Sequence, residues 1–504
     1  MRAGGKPPRE QALRRRGAAR AQVGPPQAMD PVDMAWLRTD NDVNQMVILG
    51  IWMLRPAINH EVLLARLSDR LLKHKRFRQR VVEGMLSMRW EDDPDFDLRR
   101  HLVLEHLKRR RGQSDRDALQ QRAGELASAP FDRAHPLWQF HLVAHCDGGS
   151  ALLCRVHHCI GDGVALSAVM LSITDDGAAP PAHGYSRSPA AEGLFSLATL
   201  EPVAEFGAKA VGLASDGLAQ SLAALQHPQQ ALSKAALWFK KGQQVVADGL
   251  ALALMPDDSP TRLKGRAAGH KRVAWCEPLP LDRIKAVGHA LGCSVNDLLV
   301  SCVAGAIGRY LREQGDDPTG LDIRAMVPVN LRPLNPPPWE LGNRFGLAPL
   351  LMPIGIENPV ERVYEVRRRM GELKDNFQPL LAYGLLAVAG LLIKPGQDAL
   401  MRLFQDKTTA VVTNVHGPDT PLRLCGAEVQ EVIFWVPTAG DIGMGVSIIS
   451  YAGGVQFGLR TDEALCAHPQ AVIDQFAPEF DKLTLLTLML PWETQPSRVT
   501  NLRP

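Results

Sequence analysis

The sequence lacks the signatures of several common chemistries. It has no GxSxG elbow, which removes the usual serine-hydrolase turn. Neither GxxxxGK[ST] nor a GxGxxG after a strand occurs, so the common nucleotide cradles are missing too. The cysteines at 146, 154, 159, 276, 293, 302, 425 and 466 form no CxxC pair and none of the usual structural-zinc spacings. Reduced thiols account for them. No run reaches the roughly 18 apolar residues that a membrane-crossing helix requires. The nearest, LLAYGLLAVAGLLI at 380–393, is bounded by Pro379 and Lys394. It reads either as a buried core helix or as a nearly uncharged surface helix that dips into a membrane interface or a lipid droplet.

Basic charge is also scarce once it is located. The formal net charge is +3, yet the stretch from Met1 to Ala28 holds seven Arg or Lys against one acid, so the rest of the chain is mildly acidic. Nothing argues for a nucleic-acid partner. That basic stretch has no apolar core of about 7 to 15 residues and cannot act as a secretory signal. We read 1–28 as a disordered extension, with attraction to anionic lipid as the rival reading. A true start at Met29 would make both moot.

What is present is a globular chain of 504 residues, 45% hydrophobic and 22% charged, with room for two or three domains. MDPVDMAWLRTDNDVNQMVILGIWML passes from a polar turn into an apolar strand, and INHEVLLARLSDRLLKHK follows with helical spacing behind an Asn suited to capping. A helix near Asp115–Ala129 precedes WQFHLVAHCDGGSALLCRVHH, two apolar strands around a turn. Residues 29–178 form a first α/β lobe. Residues 179–270 read as a linker with Ala/Leu-rich helices, 271–492 as a second α/β lobe opening on KRVAW, and 493–504 as a tail.

RVHHCIGDGVAL, at 155–166, ends the second of those strands. An imidazole titrates near neutrality, so it can take a proton from a hydroxyl and return it within one cycle. Gly161 and Gly163 allow a sharp turn, and Asp162 can fix that turn. The bland alternative is a capped turn with two satisfied histidines. His157, His158 and Cys159 alternate in direction along an extended backbone, which disfavours a metal site and disfavours Cys159 as a nucleophile beside its own base.

HHCIGDG resembles the HHxxxDG motif of CoA-dependent acyltransferases and peptide-synthetase condensation domains. HPLWQFHLV at 135–143, SVNDLLVSCVAGAIGRYL at 294–311, MVPVNLRP at 326–333, LGNRFG at 341–346 and TNVHGP at 413–418 narrow the resemblance to the bacterial wax ester synthase/acyl-CoA:diacylglycerol acyltransferase family. It spans roughly Met29 to Leu490. It implies an α/β (α+β) fold of two chloramphenicol acetyltransferase-like lobes, each a mixed sheet flanked by helices, with a helical linker and a channel between the lobes.

The resemblance further implies transfer of a long-chain acyl group from acyl-CoA to diacylglycerol or a long-chain alcohol. Acyl-CoA is then a substrate, and no cofactor or metal is needed. His158 is the general base, with His157 supporting its geometry and Asp162 and Gly163 organising the loop. Asn296 and Asp297 serve either the site or lobe packing. Pro136 and Trp138 read as packing ahead of substrate contact. Arg332 and Arg344 suit CoA phosphates and equally suit a carboxylate that holds a loop. Asn343 belongs to LGNRFG, and Asn414 and Gly417 to a stretch that is either a lobe-crossing turn or a channel wall. The expected place of action is cytoplasmic, peripheral to the inner membrane or lipid droplets. The carboxy-terminal GDIGMGVSI carries Gly445 where such sequences usually carry Asn, which bears on acceptor preference. Two other functions fit less well: a carrier-protein-dependent condensation-type acyltransferase, and a lipid-binding protein with little turnover.

Overall fold

The computed structural model describes residues 26–84, 88–177, 255–332, 341–374 and 405–489, with six single positions between 382 and 402. Residues 1–25 of the basic extension, most of the linker and the tail lie outside the described residues. So does the 380–393 segment, except Ala382 and Leu386, both of which are buried. The end of the extension, Gln27–Ala28, is not disordered but forms a strand paired with Arg89 and Trp90.

The first half opens with β1 (Gln27–Ala28) and then α1 (Pro31–Thr39), where the sequence reading expected only a polar turn. The cause is local. The Asp30 side chain accepts from the Val32 N–H, and Pro31 fits the first helical turn because its missing N–H is not needed there. There follow β2 (Val47–Arg55) and α2 (His60–Asp69), the latter capped by Asn59 as expected. Next come β3 (Gln79–Glu83), β4 (Met88–Asp92), α3 (Leu98–His101), β5 (Leu102–Glu105) and α4 (Asp115–Ser128). The hairpin β6 (Trp138–Cys146) and β7 (Gly149–His157) then feeds α5 (Gly163–Ser172).

The second half runs β8 (Lys271–Trp275), β9 (Leu279–Pro280), α6 (Leu281–Ala290), α7 (Val295–Glu313), β10 (Ile323–Asn330), β11 (Phe345–Met352) and α8 (Pro359–Lys374). It continues with β12 (Ala410–His416), β13 (Arg423–Leu424), β14 (Ala427–Trp435), β15 (Met444–Tyr451), β16 (Gly454–Asp462), α9 (Pro469–Ile473) and α10 (Phe476–Leu488).

Two large mixed sheets result. The second is ordered β11-β10-β12-β15-β16-β8, with β9 beside β16. Its β10–β12 and β12–β15 pairs are parallel. The first is ordered β13-β14-β2-β7-β6-β5. Two of its strands therefore come from the second half of the chain: β14 pairs antiparallel with β2 from Glu428↔Arg55 to Trp435↔Leu49. The division at 271 separates the two sheets apart from this crossing. AEVQEVIFW alternates as any half-buried strand does, and nothing local names its neighbour.

Each sheet has its own core. Leu152, Cys154 and Val156 of β7 face one side with Ile48 and Trp52, while Ala151 and Leu153 face the other, against Leu119, Ala123 and Leu126 of α4. In the second half, α7 buries Leu299, Val303 and Ile307 against Ala410, Val412 and Ile448. The halves are also joined by buried polar groups. Arg460 of β16 donates to the Val47 carbonyl at 3.0 Å, and Lys271 lies 2.9 Å from Asp462 and 3.0 Å from the Asn44 side chain. Gly445 on β15 sits in this region. A Cβ there would come within 3.2 Å of the Val436 carbonyl oxygen and 3.8 Å of the Arg460 Cβ, so a larger side chain has little room.

Candidate active site

His157 and His158 stand where β7 ends, held by main-chain bonds on both sides. The His157 N–H donates to the Leu137 carbonyl at 2.9 Å, and the His158 N–H to the Met46 carbonyl at 2.7 Å. The two rings differ sharply. The Cys159 N–H donates to His157 Nδ1 at 3.0 Å, so that nitrogen carries the lone pair, and Nε2–H donates to Asp40 Oδ2, also at 3.0 Å. Both nitrogens of His157 are used. It is a fastener.

His158 is held by aromatic contacts instead. Trp36 of α1 stacks on it with centroids 4.6 Å apart, and Phe345 of β11 lies 5.6 Å away at a tilt. Its Nδ1 is buried with no hydrogen-bond partner among the described residues. Burial pushes the imidazole down to about 4, and this outweighs its own backbone carbonyl, the Asp162 charge and the Asn343 amide, which pull the other way. The ring is therefore neutral at physiological pH, the form that accepts a proton. With Nδ1 sealed, Nε2 is the nitrogen left to meet a substrate.

Asp162 joins the halves. Its Oδ1 accepts from the Ala165 N–H and caps α5. Its Oδ2 accepts from the Arg332 guanidinium at 2.9 Å and from the Arg344 N–H at 3.0 Å. The Arg332 and Asp162 side chains are only 5% and 7% exposed. Of the two roles open to Arg332, the structure shows the carboxylate: the same guanidinium also donates to the Gly342 carbonyl at 2.7 Å. Asn343 adds a second link, its Nδ2 donating to the His158 carbonyl at 2.7 Å. Arg344 contributes its main chain here, while its side chain is exposed.

The other expected positions fall into two groups. Trp138 is fully buried, donates from Nε1 to the Phe77 carbonyl and stacks on His101. Pro136, also buried, accepts the Trp138 N–H, so this segment packs beneath the histidines. Asp297 completes a capping box with Ser294 at the start of α7, and the Asn414 amide donates to Asn296. Asn414 shares its face of β12 with Ala410 and Val412, the face packed on α7, so this pair ties helix to sheet. Gly417 meets the space between the sheets: a Cβ there would sit 2.5 Å from the Ser450 carbonyl oxygen.

That space is an apolar cleft of about 950 Å³, part of it open to solvent. Gly50, Val156, Gly163 and Leu166 line it from the first half, and Gly417 and Ile449 from the second. His158 is not in the lining. The motif reaches the cleft at Gly163, where a Cβ would meet nothing within 4 Å.

Comparison with known proteins matches this geometry. Residues 29–299 match the wax ester synthase/diacylglycerol acyltransferase catalytic domain, and 341–484 the WS/DGAT C-terminal domain. The chain belongs to the wax ester synthase/diacylglycerol acyltransferase family. A Mycobacterium bovis relative named putative diacylglycerol O-acyltransferase is 28% identical over 86% of this chain and 90% of its own. A Mycobacterium tuberculosis relative named probable diacylglycerol O-acyltransferase shows the same figures. The solved wax ester synthase/diacylglycerol acyltransferase of Marinobacter aquaeolei superposes with a TM-score of 0.60 at 22% identity, covering 92% of this chain and all of that one. The first condensation domain of the calcium-dependent antibiotic synthetase gives 0.56 at 15% identity, covering 92% and 97%. The two-lobe acyltransferase fold expected from the sequence is therefore established.

Sequence reasoning missed four residues packed around the two histidines and Asn343: Asp33, Trp36, Asp40 and Phe345. Asp33 and Trp36 are one helical turn apart on α1 and Asp40 follows its last residue, so reading this stretch as a turn hid them.

The depressed basicity of His158 carries a stability consequence. Above the ordinary imidazole value of 6.5 the ring is neutral whether the chain is folded or not. As pH falls from there toward about 4, the unfolded chain takes up a proton that the native site resists, and stability drops. A thermal unfolding series from pH 7 to 4.5 is expected to show a steeper fall for the wild type than for His158→Gln, by an amount on the order of 2 kcal/mol. Equal slopes would contradict a buried neutral imidazole.

Proposed function

We propose that this protein transfers a long-chain acyl group from acyl-CoA to the hydroxyl of diacylglycerol or a long-chain alcohol, with His158 as general base. The observation that carries the reading is the neutral His158 ring, fixed by main chain and by the Trp36 stack at the seam of two halves that enclose an apolar cleft. Family membership and the names of the mycobacterial relatives support the substrate class.

Nε2 of His158 takes the acceptor's hydroxyl proton as the oxygen forms its bond to the thioester carbonyl carbon, giving a tetrahedral oxyanion. Collapse breaks the carbon–sulfur bond, and the imidazolium returns the proton to the CoA thiolate. His157, locked to Asp40, keeps the β7 end rigid, and Asp162 holds the following turn against the second half. No covalent acyl-enzyme is required. The cleft suits an alkyl chain, since each buried methylene contributes about 0.8 kcal/mol. Purified protein given radiolabelled palmitoyl-CoA with either dioleoylglycerol or hexadecanol is expected to form ester, and His158→Ala to lower the rate by about 10² to 10⁴. No His158-dependent ester with either acceptor sinks the reading.

Gly50 sets the depth of the cleft. It lies on β2 between Ile48 and Trp52, which share the lining, and a Cβ there meets only the Ile433 carbonyl oxygen at 3.7 Å. A side chain fits without moving backbone and fills space an alkyl chain would use. Gly50→Leu is expected to shift the ratio of kcat/KM for 16-carbon over 8-carbon substrates by about tenfold or more toward the shorter, read from a chain-length series. An unchanged ratio would show that no chain occupies this part of the cleft.

Action at a lipid surface is part of the same proposal. Leu485, Leu488 and Met489 at the end of α10 are 62%, 77% and 79% exposed, an apolar tip suited to an interface. In liposome flotation the wild type should rise with the vesicles, and a Leu485→Glu, Leu488→Glu double variant should stay below. Equal partitioning of the two would remove α10 as the contact.

A further inference from the structure

We propose that Asp33 is a positioning residue for acyl transfer, holding the Asn343 amide in the one orientation that clasps the main-chain carbonyl of His158. The inference rests on His158 being the base. Asp33 is 4% exposed on α1, and its Oδ1 accepts twice from Asn343, from Nδ2 at 2.8 Å and from the backbone N–H at 3.2 Å. The same Nδ2 spans to the His158 carbonyl, so one amide nitrogen satisfies an acceptor from each side. The approach is close: Gly342, with φ +115°, would place a Cβ 3.7 Å from Asp33 Oδ2.

The orientation matters because an amide has two unlike ends. An ionised carboxylate accepts only, so it admits Nδ2 and turns Oδ1 away. Asn343 Oδ1 is accordingly buried with no hydrogen-bond partner among the described residues, as is His158 Nδ1. A protonated Asp33 offers a donor instead and permits the amide to flip. Carbonyl oxygen would then oppose the His158 carbonyl, and the clasp would open. Trp36, one helical turn beyond Asp33, stacks on the His158 ring, so α1 governs both the backbone and the ring of the base. A reacting group displaced by about 1 Å loses on the order of a hundredfold in rate.

Burial raises the Asp33 carboxyl to about 7, with the charge of Asp30 adding to the rise and the Asn343 bonds and Arg76 opposing it. The charged and titratable groups that act on it or feel it are Asp30, the Arg76 guanidinium and the Cys159 thiol, which burial holds well above its usual value. The clasp should therefore loosen as pH falls from 8 to 6.

The test compares Asp33→Asn and Asp33→Ala in the full chain, with palmitoyl-CoA and dioleoylglycerol or hexadecanol. The Asn carbonyl oxygen can still accept both N–H groups and does not titrate. Asp33→Asn is expected to keep kcat within about threefold of the wild type at pH 8 and to lose the wild-type decline between pH 8 and 6. Asp33→Ala should lower kcat about a hundredfold with KM nearly unchanged. A second readout needs no turnover. In protein labelled with ¹³C-histidine, the His158 Cε1 resonance, identified by its absence in His158→Gln, should move between pH 8 and 6 in the wild type and stay fixed in Asp33→Asn. If the wild type makes no ester but that resonance behaves so, the proposed function fails and the clasp stands. Should Asp33→Ala fail to fold, the Asp33→Asn profile and resonance decide alone. Full activity in Asp33→Ala, or a resonance that moves equally in the wild type and Asp33→Asn, overturns the inference.

Discussion

One carboxylate carries two jobs that the rest of the molecule depends on. Asp162 caps the helix that follows the histidines through one oxygen and receives the second half of the chain through the other. Removing either partner of a buried, hydrogen-bonded ion pair leaves an uncompensated charge, at a cost of about 3 to 5 kcal/mol. The turn that presents His158 and the contact that closes the halves over the cleft are thus one interaction. Neither half alone can complete the site. The base and the Trp36 ring stacked on it come from the first, and the Asn343 amide that holds its carbonyl comes from the second.

The two histidines divide the work that a pair of imidazoles can do. His157 uses both nitrogens locally, with its tautomer set by a main-chain donor and a carboxylate. His158 is left with the Trp36 stack and an Nδ1 that has no partner among the described residues. Burial, outweighing the pull of the Asp162 charge, makes its neutral form the stable one, and that is the only form able to begin the transfer. Where one ring spends its hydrogen bonds on rigidity, its neighbour keeps an unspent lone pair for chemistry.

Much of this was legible because it is written in short-range spacing. The strand before His157, the Gly and Asp turn and the Asn59 cap follow from local rules and are found where those rules place them. Arg332 was legible only as a choice, since a guanidinium fits phosphate and carboxylate alike, and the three-dimensional neighbour decides. Asp33 was hidden for a different reason. An acid in a polar-looking stretch reads as solvated until α1 is recognised as a helix with a buried face. The partner of β14 was not legible at all, because pairing over some 370 residues leaves no mark in either strand.

That long-range pairing has a consequence for how the chain is made. Until residues 427–435 emerge from the ribosome, β2 is an unfinished edge, VILGIWMLR, apolar along most of its length and open on one side. Such an edge invites pairing with other chains. At about 5 to 20 residues per second, the nascent protein carries it for tens of seconds. The strand that later floors the cleft is therefore a hazard during synthesis, and its escort in that interval is a matter for the cell rather than for the finished fold.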